Sequence, residues 1–162
     1  MQRKPFGRTY LDPRRANNFL DSCAFDPKYS PEDEAARHIR AMGSDGKVIL
    51  VLAHSNQKEI DHPNTPPDVK REASTMQFTI ETSLTPAERD RKGAIHAILT
   101  GNGRPEKYAA DSTHIFEAGK YGGYFVTTDA RILSKKVELE RASRAVILKP
   151  TEWVQIFEEA GT

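Results

Sequence analysis

The sequence predicts an α/β fold built on a parallel sheet of about five strands. Short strand-like runs alternate with helix-like segments along the chain, the order that accompanies parallel pairing. One run, Lys47 to Ala53, is aliphatic and β-branched over most of its length, as in a central strand buried on both faces. Two helix starts are spelled out by Ser30-Pro31 with Asp33 and by Thr85-Pro86 with Glu88. Each pairs a capping hydroxyl with a first-turn proline and an acid three residues on.

Taken in order, Asn18-Phe19-Leu20 forms a short first strand that leads into Asp21. The helix begun at Ser30-Pro31 runs through Ala35, Ile39 and Met42 to Gly43, and Lys47 to Ala53 follows as the long strand. Residues Asp61 to Ser74, interrupted by Pro63, Pro66 and Pro67, read first as a loop, with a short helix starting near Lys70 to Glu72. Gln77 to Ile80 alternates weakly, as an edge strand would. The helix begun at Thr85-Pro86 carries Ile95, Ile98 and Leu99 on one stripe and stops at Gly101. A further helix spans Pro105 to about Gly119. Tyr124 to Thr127 and Ala145 to Leu148 complete the strands, and Trp153, Ile156, Phe157 and Ala160 recur at helical spacing as core contacts.

At 162 residues with 37% hydrophobic content, the chain fits one domain able to bury a core. The single cysteine, Cys23, rules out an intramolecular disulfide, and the Cys/His spacings of zinc modules are absent. With no signal-type stretch and no apolar run near the roughly 20 residues that cross a bilayer, a cytoplasmic protein with no membrane partner is expected. The net charge of +1 conceals two basic stretches. Residues 1–16 form a basic arm preceding a domain at 17–162, with Arg3, Lys4, Arg8, Arg14 and Arg15 against Asp12. Residues 130–149 hold six cations against two acids. Within them Arg131, Lys135 and Lys136 are candidate contacts to an RNA backbone, against the plainer reading of a solvated helix face.

In open parallel sheets the ligand crevice lies beyond the carboxyl ends of the strands. Acids stand there: Asp21 after the first strand, Glu59 a turn into a helix capped by Ser55 or Asn56 after the long strand, and Asp129 after Phe125-Val126-Thr127-Thr128. Asp61 would point about 200° away from Glu59 on a helix, so only one of the two can face the group. Asp111 arrives on the helix after Pro105, sharing a face with His114 and Ala118. Gathered carboxylates repel one another, and a divalent cation resolves the conflict. Oxygen donors without a Cys or His cluster suit Mg²⁺ or Mn²⁺ rather than Zn²⁺. Such an ion can activate water against a phosphodiester. His114 reads as hydrogen-bonded structure, Cys23 as packing, and Asp129 as a helix cap that is also able to bind metal.

Phe19-Leu20-Asp21-Ser22, the helix-borne Glu59, Ala110-Asp111-Ser112-Thr113-His114 and Phe125-Val126-Thr127-Thr128-Asp129-Ala130-Arg131-Ile132-Leu133 together resemble the PIN-domain family. The likeness covers about residues 17 to 157. It implies a three-layer α/β/α domain, an acidic centre holding Mg²⁺ or Mn²⁺, and cleavage of single-stranded RNA. Asp21, Glu59, Asp111 and Asp129 match the family's acidic positions as catalytic and metal-binding residues, with Ser22, Thr127 and Thr128 in support. The chain departs at Cys23, where many members carry asparagine. The expected function is therefore a metal-dependent endoribonuclease acting on single-stranded or structured RNA. The alternatives are a catalytically silent PIN-like module binding RNA or protein, and a toxin restrained by an antitoxin-like inhibitor; a homodimer fits any of these. A phosphotransfer domain would want a second Asp where Cys23 stands, and no G-x-G-x-x-G follows the first strand to bind a dinucleotide.

Overall fold

The structure is a computed structural model and describes residues 10–52, 63–64, 66–68, 70, 77–78 and 83–161. Four parallel strands carry the sheet: β1 Asn17–Leu20, β2 Ile49–Leu52, β4 Tyr124–Val126 and β5 Val146–Leu148. A two-residue piece, β3 Gln77–Phe78, pairs beyond β2, so the order is β3-β2-β1-β4-β5. The expected number of about five is reached only by counting that edge piece. β1 gains Asn17 over the expected run, whereas β4 and β5 are each one residue shorter than theirs, β4 ending at Val126 and β5 beginning at Val146.

Residues alternate across the sheet with period two, and both faces are apolar. Leu20, Leu50, Leu52, Tyr124, Val126 and Leu148 point to one core; Phe19, Val51, Phe125 and Ile147 point to the other. On the first side lie α1 Ser22–Phe25, α2 Glu32–Ser44 and α7 Pro150–Ala160, contributing Phe25, Ile39, Trp153 and Phe157. On the second lie α3 Pro86–Thr100, α4 Ala109–Lys120, α5 Ala130–Ser134 and α6 Lys136–Ser143, contributing Ile95, Leu99, Ile115, Ile132 and Leu139. The result is three layers, compatible with an α/β/α fold. Among the described residues, no helix is long and apolar enough to cross a membrane.

The helix starts divide. Thr85 caps α3 as predicted: its Oγ1 accepts from Glu88 N–H at 3.2 Å, while Glu88 Oε1 accepts from Thr85 N–H at 3.0 Å. Gly101, at φ +51°, ends that helix. Ser30, by contrast, caps nothing. The helix opens at Glu32 after Pro31, and Glu32, Asp33 and Glu34 crowd its first turn, where acids complement the helix dipole. Buried Glu32 also accepts from the Thr151 N–H and hydroxyl, both at 3.0 Å, pinning the start of α7 to the start of α2. Gly119 is required by contact: a Cβ there would meet the Ser143 carbonyl oxygen at 1.9 Å, so α4 and the end of α6 approach backbone to backbone.

The segment expected to be a free basic arm is built into the domain from Tyr10 onward. Tyr10 and Ala16 are core residues, Asp12 caps a 3₁₀ turn at Pro13–Arg15, and Arg14 lies 3.9 Å over the Phe157 ring. A boundary at residue 16 therefore falls inside packed structure. The tie is Asn18, fully buried, whose Nδ2 lies 3.0 to 3.1 Å from the carbonyls of Pro13, Ala16 and Ile49. Its Oδ1 accepts from Trp153 Nε1 at 2.9 Å. One amide thus joins arm, sheet and last helix.

Two outcomes follow. Asn18→Ala should lower unfolding free energy by about 3 kcal/mol in chemical denaturation, since it leaves the Trp153 N–H and main-chain carbonyls buried without partners. Glu88 is held at about 2, below its ordinary 4.5, first by the Thr85 backbone N–H and then by Lys120 at 2.9 Å. Its contribution is therefore complete above pH 4.5 and lost as pH falls through about 2. The stability gap between wild type and Glu88→Gln, followed by urea unfolding, should stay constant near neutrality and close as pH approaches 2.

Candidate metal centre

The strand order places the candidate site. The chain leaves β1 for β2 on one side and later fills the place on the other side with β4, so the switch point, where open parallel sheets bind ligands, falls beyond the carboxyl ends of β1 and β4. Leu20 is in register with Val126, and the Asp21 N–H bonds to the Val126 carbonyl at 2.9 Å. The residues after each strand are thereby forced together. Thr127 Oγ1 donates to Asp21 Oδ2 at 2.8 Å and accepts from the Asp129 N–H at 3.0 Å.

Asp21 is 3% exposed and caps α1 through the Ser22 N–H, at 2.9 Å from Oδ1. Burial alone would raise its pKa. The adjacent His114 ring, with hydrogen bonds from Cys23 and Thr127, outweighs that and holds the carboxyl below its ordinary value. Cys23 Sγ lies 3.2 Å from Asp21 Oδ2 and 3.4 Å from Thr127 Oγ1. The residue is exposed, but crowding of its sulfur by protein atoms and the adjacent carboxylate push the thiol up to about 12. It remains protonated at neutral pH and donates to Asp21; its role is more specific than the packing expected of it.

The opposite wall is α4. Asp111 sits in its first turn, half-buried, and His114 follows at a spacing of three on the same face, 3% exposed. His114 Nδ1 is 3.8 Å from Asp21 Oδ1. Asp21, Asp111 and His114 each offer one ligand atom, and those atoms all lie within 4.8 Å of one another, so the group could hold a metal ion. Donors about 2.1 Å from one ion stand roughly 3 to 4.2 Å apart, so these side chains would draw closer together on binding. No Cys or His cluster accompanies the acids, but one histidine does: the helical spacing that carries Asp111 to this edge carries His114 with it. That spacing was visible in the sequence; the neighbour it would meet was not.

The other expected site residues are placed differently. Glu59, with Ser55, Asn56 and Asp61, lies outside the described residues. Asp129 is not in the 4.8 Å group. Its Oδ1 caps α5, accepting from the Arg131 and Ile132 N–H groups at 2.9 and 3.0 Å, and among the described residues Thr127 links it to Asp21. Thr128 Oγ1 donates to the Cys23 carbonyl at 3.1 Å, tying α1 to the loop after β4. Ser22 contributes its backbone N–H.

Arg131 and Lys135, expected at an RNA backbone, are occupied within the domain. Arg131 donates to the Leu99 and Thr100 carbonyls at 2.7 and 2.9 Å and stacks over Tyr108, while Lys135 donates to the Ile98 carbonyl at 2.6 Å. Together they satisfy the last carbonyls of α3, a favourable place for cations. Lys136 makes no such bond among the described residues. Comparison with protein-family models, with curated proteins and with solved structures gives no match for this chain.

Proposed function

We propose that the protein is a metal-dependent endoribonuclease that hydrolyses phosphodiester bonds of single-stranded RNA at the carboxyl edge of its sheet. The observation that carries the reading is the convergence of Asp21, Asp111 and His114, from two elements distant in sequence, within 4.8 Å at the topological switch point. Two carboxylates and an imidazole fit a divalent cation, for which the resemblance in the sequence suggests Mg²⁺ or Mn²⁺. When bound, that ion supplies Lewis acidity toward a phosphate oxygen and a water of lowered pKa.

The chain's own residues do the rest. Ser22 N–H, Thr127 and Cys23 hold the Asp21 carboxylate in one orientation, so no reorganisation is needed as charge develops. Asp111 brings the second negative charge, and His114 brings a ring nitrogen as the third donor beside them. Glu59 and Asp129 complete the proposed acidic set, Asp129 with the oxygen its cap does not use. Of the three expected cations, Lys136 is the one with no internal bond among the described residues and so is the one left to meet a phosphate, whereas Arg131 and Lys135 hold the end of α3.

Single-stranded RNA incubated with Mn²⁺ should be cleaved by the wild type and spared with EDTA. Asp21→Asn should lose on the order of 100-fold in rate, the scale of removing one preorganised charge-stabilising group. Undiminished cleavage by that variant removes Asp21 from the mechanism. RNA retained but never cut, with any divalent ion, would instead favour a silent binding module.

The cations separate cleanly. Lys136→Gln should weaken RNA binding and lower its salt slope by roughly one, with unfolding unchanged. Arg131→Met should cost about 2 kcal/mol of stability, read by denaturant unfolding, because three helix-end carbonyls share its guanidinium and the Lys135 ammonium.

A further inference from the structure

We infer that His114 sets the metal preference of the centre, favouring Mn²⁺ over Mg²⁺. The inference rests on the reading above only in requiring that the site take a divalent cation.

Two carboxylates alone are hard donors that discriminate little between these ions. Mg²⁺ keeps oxygen ligands and sheds water reluctantly, in near-ideal octahedral geometry. An imidazole nitrogen is a softer donor, and affinities at sites containing nitrogen rise along the first-row transition dications. Adding one nitrogen to two oxygens therefore shifts the balance toward the transition ion.

His114 is held where it can exert that effect. It is 3% exposed, on a helix whose neighbouring Ile115 and Phe116 are sealed in the core. The helix is seated by Gly119, whose missing Cβ allows contact with the Ser143 carbonyl. The ring cannot swing into solvent without unpacking α4. Its Nδ1 already stands 3.8 Å from Asp21 Oδ1, and its ligand atom lies within 4.8 Å of those of both acids. Helical spacing sets His114 beside Asp111, and the independent observation is that Asp21, from a different element, meets both, so one ion could take a donor from each.

The test uses the full chain and the metal salts alone. Wild type, His114→Gln and His114→Asp are titrated with MnCl₂ and with MgCl₂ by calorimetry, after thermal unfolding has shown that each variant folds. The Mn²⁺-bound wild type is also examined by electron spin echo modulation, which detects directly coordinated nitrogen and needs no variant. Nitrogen modulation should be present in the wild type and absent from His114→Gln. The ratio of Mn²⁺ to Mg²⁺ affinity should fall at least about tenfold in His114→Asp, the smaller end of what even an outer partner of a ligand contributes. Mn²⁺ binding without nitrogen modulation, or with an unchanged ratio in His114→Asp, overturns the role of His114 and leaves an acidic metal site standing. Failure of the wild type to bind either ion removes this inference and the nuclease reading together.

Discussion

The hydrogen bond from Thr127 to Asp21, made across the ends of two adjacent parallel strands, is the interaction on which the site depends. A carboxylate withdrawn from water is costly unless its lone pairs are filled. Here the Ser22 N–H, the Cys23 thiol and the Thr127 hydroxyl occupy three of about four such sites and leave one open on Oδ1. Thr127 serves twice, since the same oxygen accepts from Asp129 and so starts α5. The bond exists because Leu20 and Val126 are in register; a slip of one residue would turn every side chain of β1 to the other face.

That register is protected by the packing around it. Both faces of the sheet are apolar and each is covered by helices, so neither strand can shift without exposing one core and overfilling the other. Asn18 adds a polar constraint beside the Trp153–Phe157 stack, where the two rings lie 5.2 Å apart. On the opposite side, Arg131 and Lys135 close the end of α3. Arg131 and Lys135 thus hold helices in place, and among the described residues Asp21, Asp111 and His114 are the ionisable group that converges at the edge.

The two walls of the crevice belong to different layers. Asp21 begins α1, which packs into the first core, and Asp111 and His114 ride on α4, which packs into the second. Their separation is therefore set by the thickness of the sheet and the seating of α4, not by any local loop. Both elements are anchored in a packed core, and a centre of converging charges needs such support if it is to hold its geometry.

The elements themselves were legible in the sequence, because hydrophobic periodicity and capping chemistry are local properties of the chain. The strands after Asn17 and Ile49, the capping box at Thr85 and Glu88, and the stripe of Trp153, Ile156 and Phe157 all stand where their patterns put them. So does the delivery of Asp21 and Asp129 to the ends of strands, which alternation into a parallel sheet makes unavoidable. What only tertiary structure decided was the company each side chain keeps. Helical spacing linked His114 to Asp111 but could not show that Asp21 lies opposite. Charge counts marked Arg131 and Lys135 as free cations, yet the end of α3, far away along the chain, claims them. Periodicity reports which face of an element is turned inward; which groups from other elements meet that face follows from strand order and register, and these belong to the whole fold.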